Sequence, residues 1–80
     1  MATAPKPPQS PPPSESESFK VEYEQEEGGR WLADIPELPG VMAYGPTKGD
    51  AEVAAVALAL RVLADRTEQR KKPPRSIQFL

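Results

Sequence analysis

Two prolines, Pro36 and Pro39, constrain the fold of this chain more than any other feature of its sequence. Proline donates no backbone hydrogen bond and disfavours helix in the residue before it, so the stretch that holds them belongs neither to a helix nor to a central strand. Gly40 follows and permits a tight reversal of the chain. Because apolar residues flank this corner on both sides, we predict a bend between two short strands, with Leu38 pinned in the core.

The residues around the corner alternate between apolar and polar side chains, a pattern typical of half-buried strands. We predict strands at 19–24, 30–35 and 41–44, with a glycine-containing turn at 25–29. The residues expected to share the buried face of the first two strands are Phe19, Val21, Tyr23, Trp31, Ala33 and Ile35. For Trp31, packing beneath a helix is favoured over a role as a binding hot spot, because of its strand position.

A helix is predicted from about 48 to 68. Thr47 is a good N-cap, and Asp50 follows close to the position that completes a capping box. A helix that covers one sheet needs a single apolar stripe, yet between 53 and 64 the sole charged residue is Arg61. The excess of apolar residues predicts a second burial surface, for a partner or for a second copy of the chain. To this surface we assign Val53, Val56, Leu60, Leu63 and Tyr44.

Lys71 to Pro74 should end the helix, and a last strand is predicted at 76–80. The element order is therefore β-β-β-α-β, which indicates an α+β fold with a small, mostly antiparallel sheet and one helix packed on one face. A meander makes the first and third strands parallel, and the last strand can lie parallel to the first. The expected spatial order of the strands is 3-2-1-4.

Composition sets the domain boundary and suggests self-association. Prolines, serines and glutamates dominate residues 1–18, and such a segment stays extended and solvated, so we expect a disordered tail before a domain at 19–80. A domain this small has a core worth only about 3–5 kcal/mol. The chain has no Cys and no His, which removes disulfides and the commonest metal ligand. We therefore expect no cofactor, and a homodimer or a higher oligomer as the remaining stabilising device.

The chain shows no sign of a membrane protein. Its apolar run at 53–60 is too short to span a bilayer, which takes about 20 residues. The absence of Cys fits a cytoplasmic protein.

Charge is distributed unevenly along the chain, although the net charge is only −2 and creates no general field for nucleic acid. Acidic residues dominate 15–27, whereas basic residues dominate 65–75. These oppositely charged ends could orient one chain against another, or they could be two solvated surfaces. The second alternative is the simpler one.

The glycine-rich turn before Trp31, the Pro-x-Leu-Pro-Gly corner and the Gly-x-Thr helix start together resemble the N-terminal domain of the HicB antitoxin family. The residues that carry this motif are Trp31, Pro36, Leu38, Pro39, Gly40, Gly45, Thr47 and Ala51. The resemblance covers residues 19–80. It departs from the family pattern at Val41, where a Cys is common, at Pro46, where an Asp is common, and at Gly49 and Asp50, which replace a pair of Glu residues.

The resemblance implies a truncated RNase H-like fold and a non-enzymatic antitoxin that binds and occludes a HicA-type toxin, a small ribonuclease that cleaves mRNA. Such a protein acts by steric masking, so the resemblance implies no catalytic residue and no metal. Full-length HicB antitoxins also carry a C-terminal DNA-binding domain. This sequence ends at Leu80, directly after the last predicted strand, which makes DNA binding doubtful.

Two alternatives stay open beside the antitoxin hypothesis. The first is a stand-alone HicB-like regulatory or ligand-binding module without a toxin partner. The second is an RNA-processing enzyme with Glu22, Glu24, Asp34 or Asp50 as metal ligands. Two-metal catalysis needs several carboxylates that converge on ions about 3.5–4 Å apart. The carboxylates on the hairpin alternate with basic residues, as on an exposed strand face, so the enzyme is the weaker hypothesis.

Overall fold

The structure of this protein is a computed structural model that describes residues 16–80. Within that range the chain forms five strands and one helix. The strands are β1 (Ser16–Phe19), β2 (Glu22–Gln25), β3 (Trp31–Asp34), β4 (Met42–Gly45) and β5 (Ser76–Phe79), and the helix is α1 (Lys48–Arg70). The helix packs on β3 and β4. The domain therefore has two layers and belongs to the α+β class, as the sequence predicts.

The strands pair as the sequence predicts. Strands β2, β3 and β4 form an antiparallel meander in that spatial order. Strand β5 runs parallel to β1, and α1 provides the crossover that a parallel connection requires. The predicted meander and the predicted parallel pairing of the last strand with the first are both confirmed. The expected order 3-2-1-4 within one sheet is wrong, because β1 and β5 form a two-stranded sheet separate from the sheet of β2, β3 and β4.

The prediction of one continuous strand at 19–24 is wrong, because β1 and β2 are separate strands. The hydrogen bonds to the β5 side continue to Val21, whose N–H donates to the carbonyl oxygen of Leu80 at 2.9 Å. The N–H of Lys20 lies on the other edge and points to a carboxylate oxygen of Glu37 at 3.4 Å, and pairing with β3 starts only at Glu22. The two parts of the predicted strand therefore pair with different strands: β1 pairs with β5, and β2 pairs with β3.

The folded part of the chain also begins earlier than expected. Strand β1 starts at Ser16, which lies opposite Ser76 in the register of the β1–β5 pair. The boundary predicted between 18 and 19 is therefore wrong, because pairing with β5 orders backbone whose side chains are polar. The remainder of the expected N-terminal tail, residues 1–15, lies outside the described residues.

The proline corner is closed by its own backbone. The N–H of Leu38 donates to the carbonyl of Ile35 at 2.9 Å, and the N–H of Val41 donates to the carbonyl of Leu38 at 3.0 Å. The N–H of Ile35 donates in turn to the carbonyl of Val41 at 3.0 Å. Gly40 has a φ of 81°, a left-handed conformation that glycine adopts without strain. The corner thus places Leu38 in the core, where only 1% of it is exposed, as predicted.

The core lies between α1 and one face of the sheet. Its largest fully buried side chains are Ile35, Leu38 and Val41. The helix contributes mostly small residues to it, namely Ala51, Ala55, Ala59 and Leu63. Phe19 and Val21 are buried in the same cluster, and Tyr23 and Trp31 pack against it half-buried, which confirms the predicted inward faces. Because alanines line the helix, α1 can lie close to the sheet.

The helix begins as predicted and ends slightly later. Thr47 is the N-cap: its hydroxyl oxygen accepts from the N–H of Asp50 at 3.0 Å, and its hydroxyl donates to the Asp50 carboxylate at 2.9 Å. The helix continues to Arg70. Lys71 then adopts a left-handed conformation with a φ of 59°, and its N–H donates to the carbonyl of Thr67 at 2.9 Å.

Removal of the N-cap should destabilise the domain moderately. We expect Thr47→Ala to lower the free energy of unfolding by about 0.5–2 kcal/mol, because the N–H of Asp50 loses its acceptor. Thr47→Ser keeps the hydroxyl and should stay within a few tenths of a kcal/mol of the parent, as preferred N-caps do. Urea denaturation followed by circular dichroism measures both variants. Equal stabilities for the Ala and Ser variants would contradict the role of the hydroxyl.

Candidate protein-binding surfaces

Part of the predicted partner surface lies on the outer side of α1. Val53 and Leu60 are 70% and 46% exposed, and Val56 between them is half-buried. These three residues follow helical spacing on the side of α1 that turns away from the sheet. We call them the outer stripe. The helix is therefore apolar on two sides, as the sequence predicts.

The assignment of Leu63 to this surface is wrong, because Leu63 is a core residue that is 3% exposed. It follows Ala51, Ala55 and Ala59 at intervals of four residues, and these positions share one face of a helix. The inward face of α1 carries small residues for most of its length. Leu63 supplies the bulk that fills the core near the end of the helix.

Tyr44 lies away from the outer stripe, on the face of the sheet that α1 does not cover. Residues directly opposite each other in an antiparallel pair point to the same face. Glu22 lies opposite Asp34, and Asp34 lies opposite Met42. The next row joins Glu24, Leu32 and Tyr44 in the same way. We call this surface the open sheet face; it consists of Glu22, Glu24, Leu32, Asp34, Met42 and Tyr44.

The open sheet face combines negative charge with apolar area. Met42 and Tyr44 are 48% and 45% exposed, which is high for large apolar side chains. The carboxylates of Glu22, Glu24 and Asp34 lie on β2 and β3 of the same face, to one side of these residues, and line a shallow pocket of about 100 Å³. The sequence pattern identified these carboxylates only as an exposed strand face, and it missed Met42. The available signal was the alternation itself, which places every second residue of the meander on this face.

Arg30 bounds the open sheet face at one end. Its guanidinium carbon lies 3.9 Å from the ring centroid of Tyr44, and one of its nitrogens donates to the Glu26 carboxylate at 2.8 Å. That hydrogen bond raises the pKa of the Arg30 guanidinium further above its ordinary value. The arginine therefore stays charged, and it holds the Tyr44 ring beside the acidic residues.

The opposite face of the sheet carries a second tyrosine, which belongs to the contact with α1. Lys48 places its Nζ 4.5 Å from the ring centroid of Tyr23. Burial raises the pKa of the Tyr23 hydroxyl, and the charge and hydrogen bond of Glu52 raise it further. The hydroxyl is thus neutral at physiological pH, and the ring contact with Lys48 joins the first turn of the helix to β2.

No three acidic residues in the part of the chain from 16 to 80 form a group that could hold a metal ion. Asp50 is engaged with the N-cap Thr47, away from the carboxylates of the open sheet face. What the open sheet face offers is contact area: exposed apolar and aromatic groups beside fixed negative charge. Those are the features by which one protein binds another.

The residues of the sequence motif determine the path of the backbone rather than forming a binding surface. The corner residues are Pro36, Leu38, Pro39 and Gly40, and the residues around the helix start are Gly45, Thr47 and Ala51. Trp31 lies opposite Gly45 in the sheet register and packs against the core. These residues shape the backbone, and none belongs to the open sheet face or to the outer stripe.

The described residues contain no helix with the length and apolarity that crossing a bilayer requires. No protein-family model, no curated protein and no solved structure matches this chain.

Proposed function

We propose that this protein is a non-enzymatic, cytoplasmic antitoxin of the HicB-like type, which binds a HicA-type mRNA-cleaving toxin and occludes its active site. The observation that carries the proposal is the open sheet face, where the carboxylates of Glu22, Glu24 and Asp34 share one surface with the exposed side chains of Met42 and Tyr44. The motif shared with HicB-like domains supplies the identity of the partner. The open sheet face supplies a chemistry that suits such a partner.

The charge of the open sheet face is the first support. A ribonuclease holds its substrate largely through contacts of Lys and Arg with phosphates, so its RNA-binding surface is cationic. An inhibitor that covers this surface binds more tightly if it presents exposed carboxylates, as Glu22, Glu24 and Asp34 do. Opposite charges also steer the two proteins together and speed their association.

Apolar and aromatic area is the second support. Binding energy at protein interfaces is concentrated in a few residues, among which Tyr is enriched, and the buried centre of an interface favours Met as well. Tyr44 is held in place by Arg30, so its ring loses little freedom on binding. In this arrangement Met42 and Tyr44 would anchor the toxin, and the carboxylates would form a charged border along one side of that anchor.

A ligand-binding module is the second candidate, and one cavity favours it. A groove of about 500 Å³ lies beside the β2–β3 turn, lined by Gly28, Gly29, Arg30, Tyr44, Gly45 and Pro46. Its volume falls in the range of about 300–1,000 Å³ that small-molecule sites occupy. Arg30 offers the groove a cation, which would suit an anionic ligand.

Co-expression with the product of an adjacent gene tests the antitoxin proposal. The tagged full chain should retain a small, basic, His-containing protein with the HicA pattern. Glu24→Lys should weaken that complex at least tenfold, because it places a cation on the open sheet face. Glu27→Lys makes the same change of charge at an exposed position in the β2–β3 turn, and it should weaken the complex much less.

Two results would contradict the proposal. If the chain fails to retain a co-expressed HicA-type protein, the proposed partner is wrong. If Glu24→Lys and Glu27→Lys weaken the complex equally, the open sheet face is not the contact surface, because binding would then depend only on the net charge of the chain.

A further inference from the structure

A groove beside β5 is not used by the proposed toxin contact. It has a volume of about 420 Å³ and is lined by Leu60, Leu63, Ala64, Thr67, Glu68 and Ile77. One wall is the last third of α1, and Ile77 of β5 forms the other side. Leu60 also belongs to the outer stripe. The groove therefore continues the apolar surface of the helix down to the edge of the sheet.

Strand β5 offers hydrogen-bonding groups at that edge. Within residues 16–80 it pairs only with β1. Leu80 directs both its N–H and its carbonyl towards the β1 side, where they bond to Phe19 and Val21. Backbone groups alternate along a strand, so those of Ile77 and Phe79 point to the opposite edge. Exposed edges of this kind are commonly protected by charges or prolines within the strand. The sequence from Ser76 to Phe79 has neither.

We infer that a second copy of this chain covers this edge, with β5 of one protomer pairing antiparallel to β5 of its partner about a two-fold axis at Gln78. In this register Ile77 lies opposite Phe79 of the partner subunit, and the two exchange main-chain hydrogen bonds. The apolar side chains meet on the side that faces the helices. Gln78 meets the same residue of the other protomer on the opposite face, so no like charges meet along the strands.

Charge complementarity selects this antiparallel arrangement. The start of β5 follows a basic connector with exposed Lys71, Lys72 and Arg75, and Arg70 at the end of α1 is exposed as well. The end of β5 lies beside the break between β1 and β2, where the exposed Glu22 and Glu37 outnumber the exposed Lys20 and leave a net negative charge. An antiparallel pair brings each basic connector to the acidic end of the partner, twice by symmetry. A parallel pair would instead place the two basic connectors side by side, so that like charges would meet.

The inference also accounts for the excess of apolar residues on α1. A continuous sheet across the two-fold axis places the two helices on the same side, with their groove-lining flanks facing each other. Leu60 and Ala64 would then be covered by the partner. The inference is independent of the toxin proposal, because it uses the β5 edge and leaves the open sheet face available.

Cysteine cross-linking of the full chain tests the geometry, because the natural chain has no Cys. Gln78→Cys would place two thiols opposite each other in a non-hydrogen-bonded pair, where Cβ atoms lie about 4.5–5.5 Å apart, close to the spacing of about 3.5–4.5 Å that a disulfide needs. We expect near-complete disulfide dimers under mild oxidation. Val53→Cys is the control, with its thiol on the outer stripe away from the edge, and should cross-link at least tenfold more slowly.

The result that would overturn the inference is cross-linking of Val53→Cys as fast as, or faster than, Gln78→Cys, since the second copy would then lie on the outer stripe. A monomeric parent chain at micromolar concentration by sedimentation equilibrium would overturn it equally.

A second variant keeps the inference testable if the cysteine alters the edge. Ile77→Lys puts a charge into the strand that faces the partner, and it should weaken dimerisation at least tenfold. Val53→Lys, the matched control, should change it less than threefold. Sedimentation equilibrium reports both, and circular dichroism verifies that each variant is folded. Equal effects of the two substitutions would contradict pairing at β5.

Discussion

Leu38→Ala should leave most of the protein unfolded at room temperature. Leu38 is 1% exposed and is held by two hydrogen bonds of its own backbone, so the corner cannot collapse to fill the space that the side chain vacates. Truncation of a buried Leu costs about 2–5 kcal/mol. A domain of this size has a core worth about 3–5 kcal/mol, so the loss removes most or all of its stability.

Urea denaturation, followed by the fluorescence of Trp31, measures this effect. Leu80→Ala is the matched control, because the same atoms are removed from a side chain that is 63% exposed. We expect the control to lose less than about 1 kcal/mol, as surface substitutions do. A midpoint for Leu38→Ala within 0.5 M urea (about 1 kcal/mol or less) of the parent would contradict the assignment of Leu38 as the centre of the core.

Gly45→Ala should be the second severely destabilising substitution, although it adds only one methyl group. A Cβ at this position would lie 2.5 Å from the backbone nitrogen of Ala51 and 2.9 Å from the backbone carbon of Asp50. Both atoms belong to the first turn of α1, which the N-cap holds in place. Strand and helix must therefore separate, and overpacking of this kind costs about 1–3 kcal/mol.

Gly49→Ala supplies the control for the same chemical change. A Cβ there would meet nothing closer than the Thr47 hydroxyl oxygen at 4.0 Å. Because Ala favours helix over Gly by about 1 kcal/mol, we expect this variant to be as stable as the parent or more so. Thermal unfolding of the two variants should thus shift in opposite directions. A stable Gly45→Ala variant would show that β4 and α1 can move apart without cost.

Features that depend on neighbouring residues could be predicted from the sequence. The proline corner, the left-handed Gly40 and the Thr47 cap each follow from the chemistry of one or two side chains. The inward faces of the strands followed from alternation, since a half-buried strand cannot change face without exposing its apolar set.

Features that depend on distant contacts could not be predicted. The break at Lys20 marks the change from pairing with β5 to pairing with β3, and β5 is remote in sequence from β1 and joined to it only in the fold. Leu63 was misplaced because a helix with apolar residues on two sides gives no signal for which side faces the sheet. The alternation indicated an exposed strand face with the three carboxylates, but it did not join them to Met42 and Tyr44, because only the register of β3 with β4 brings these residues onto the same surface.

Inhibition of RNA cleavage by a HicA-type toxin tests the central claim most directly. A fixed amount of a purified HicA-type toxin is incubated with mRNA, and the purified chain is added in increasing amounts. We expect cleavage to fall to background when the chain reaches the concentration of the toxin, and we expect Glu24→Lys to shift the titration to at least tenfold higher concentration. Undiminished cleavage at a tenfold excess of the parent chain would contradict the central claim.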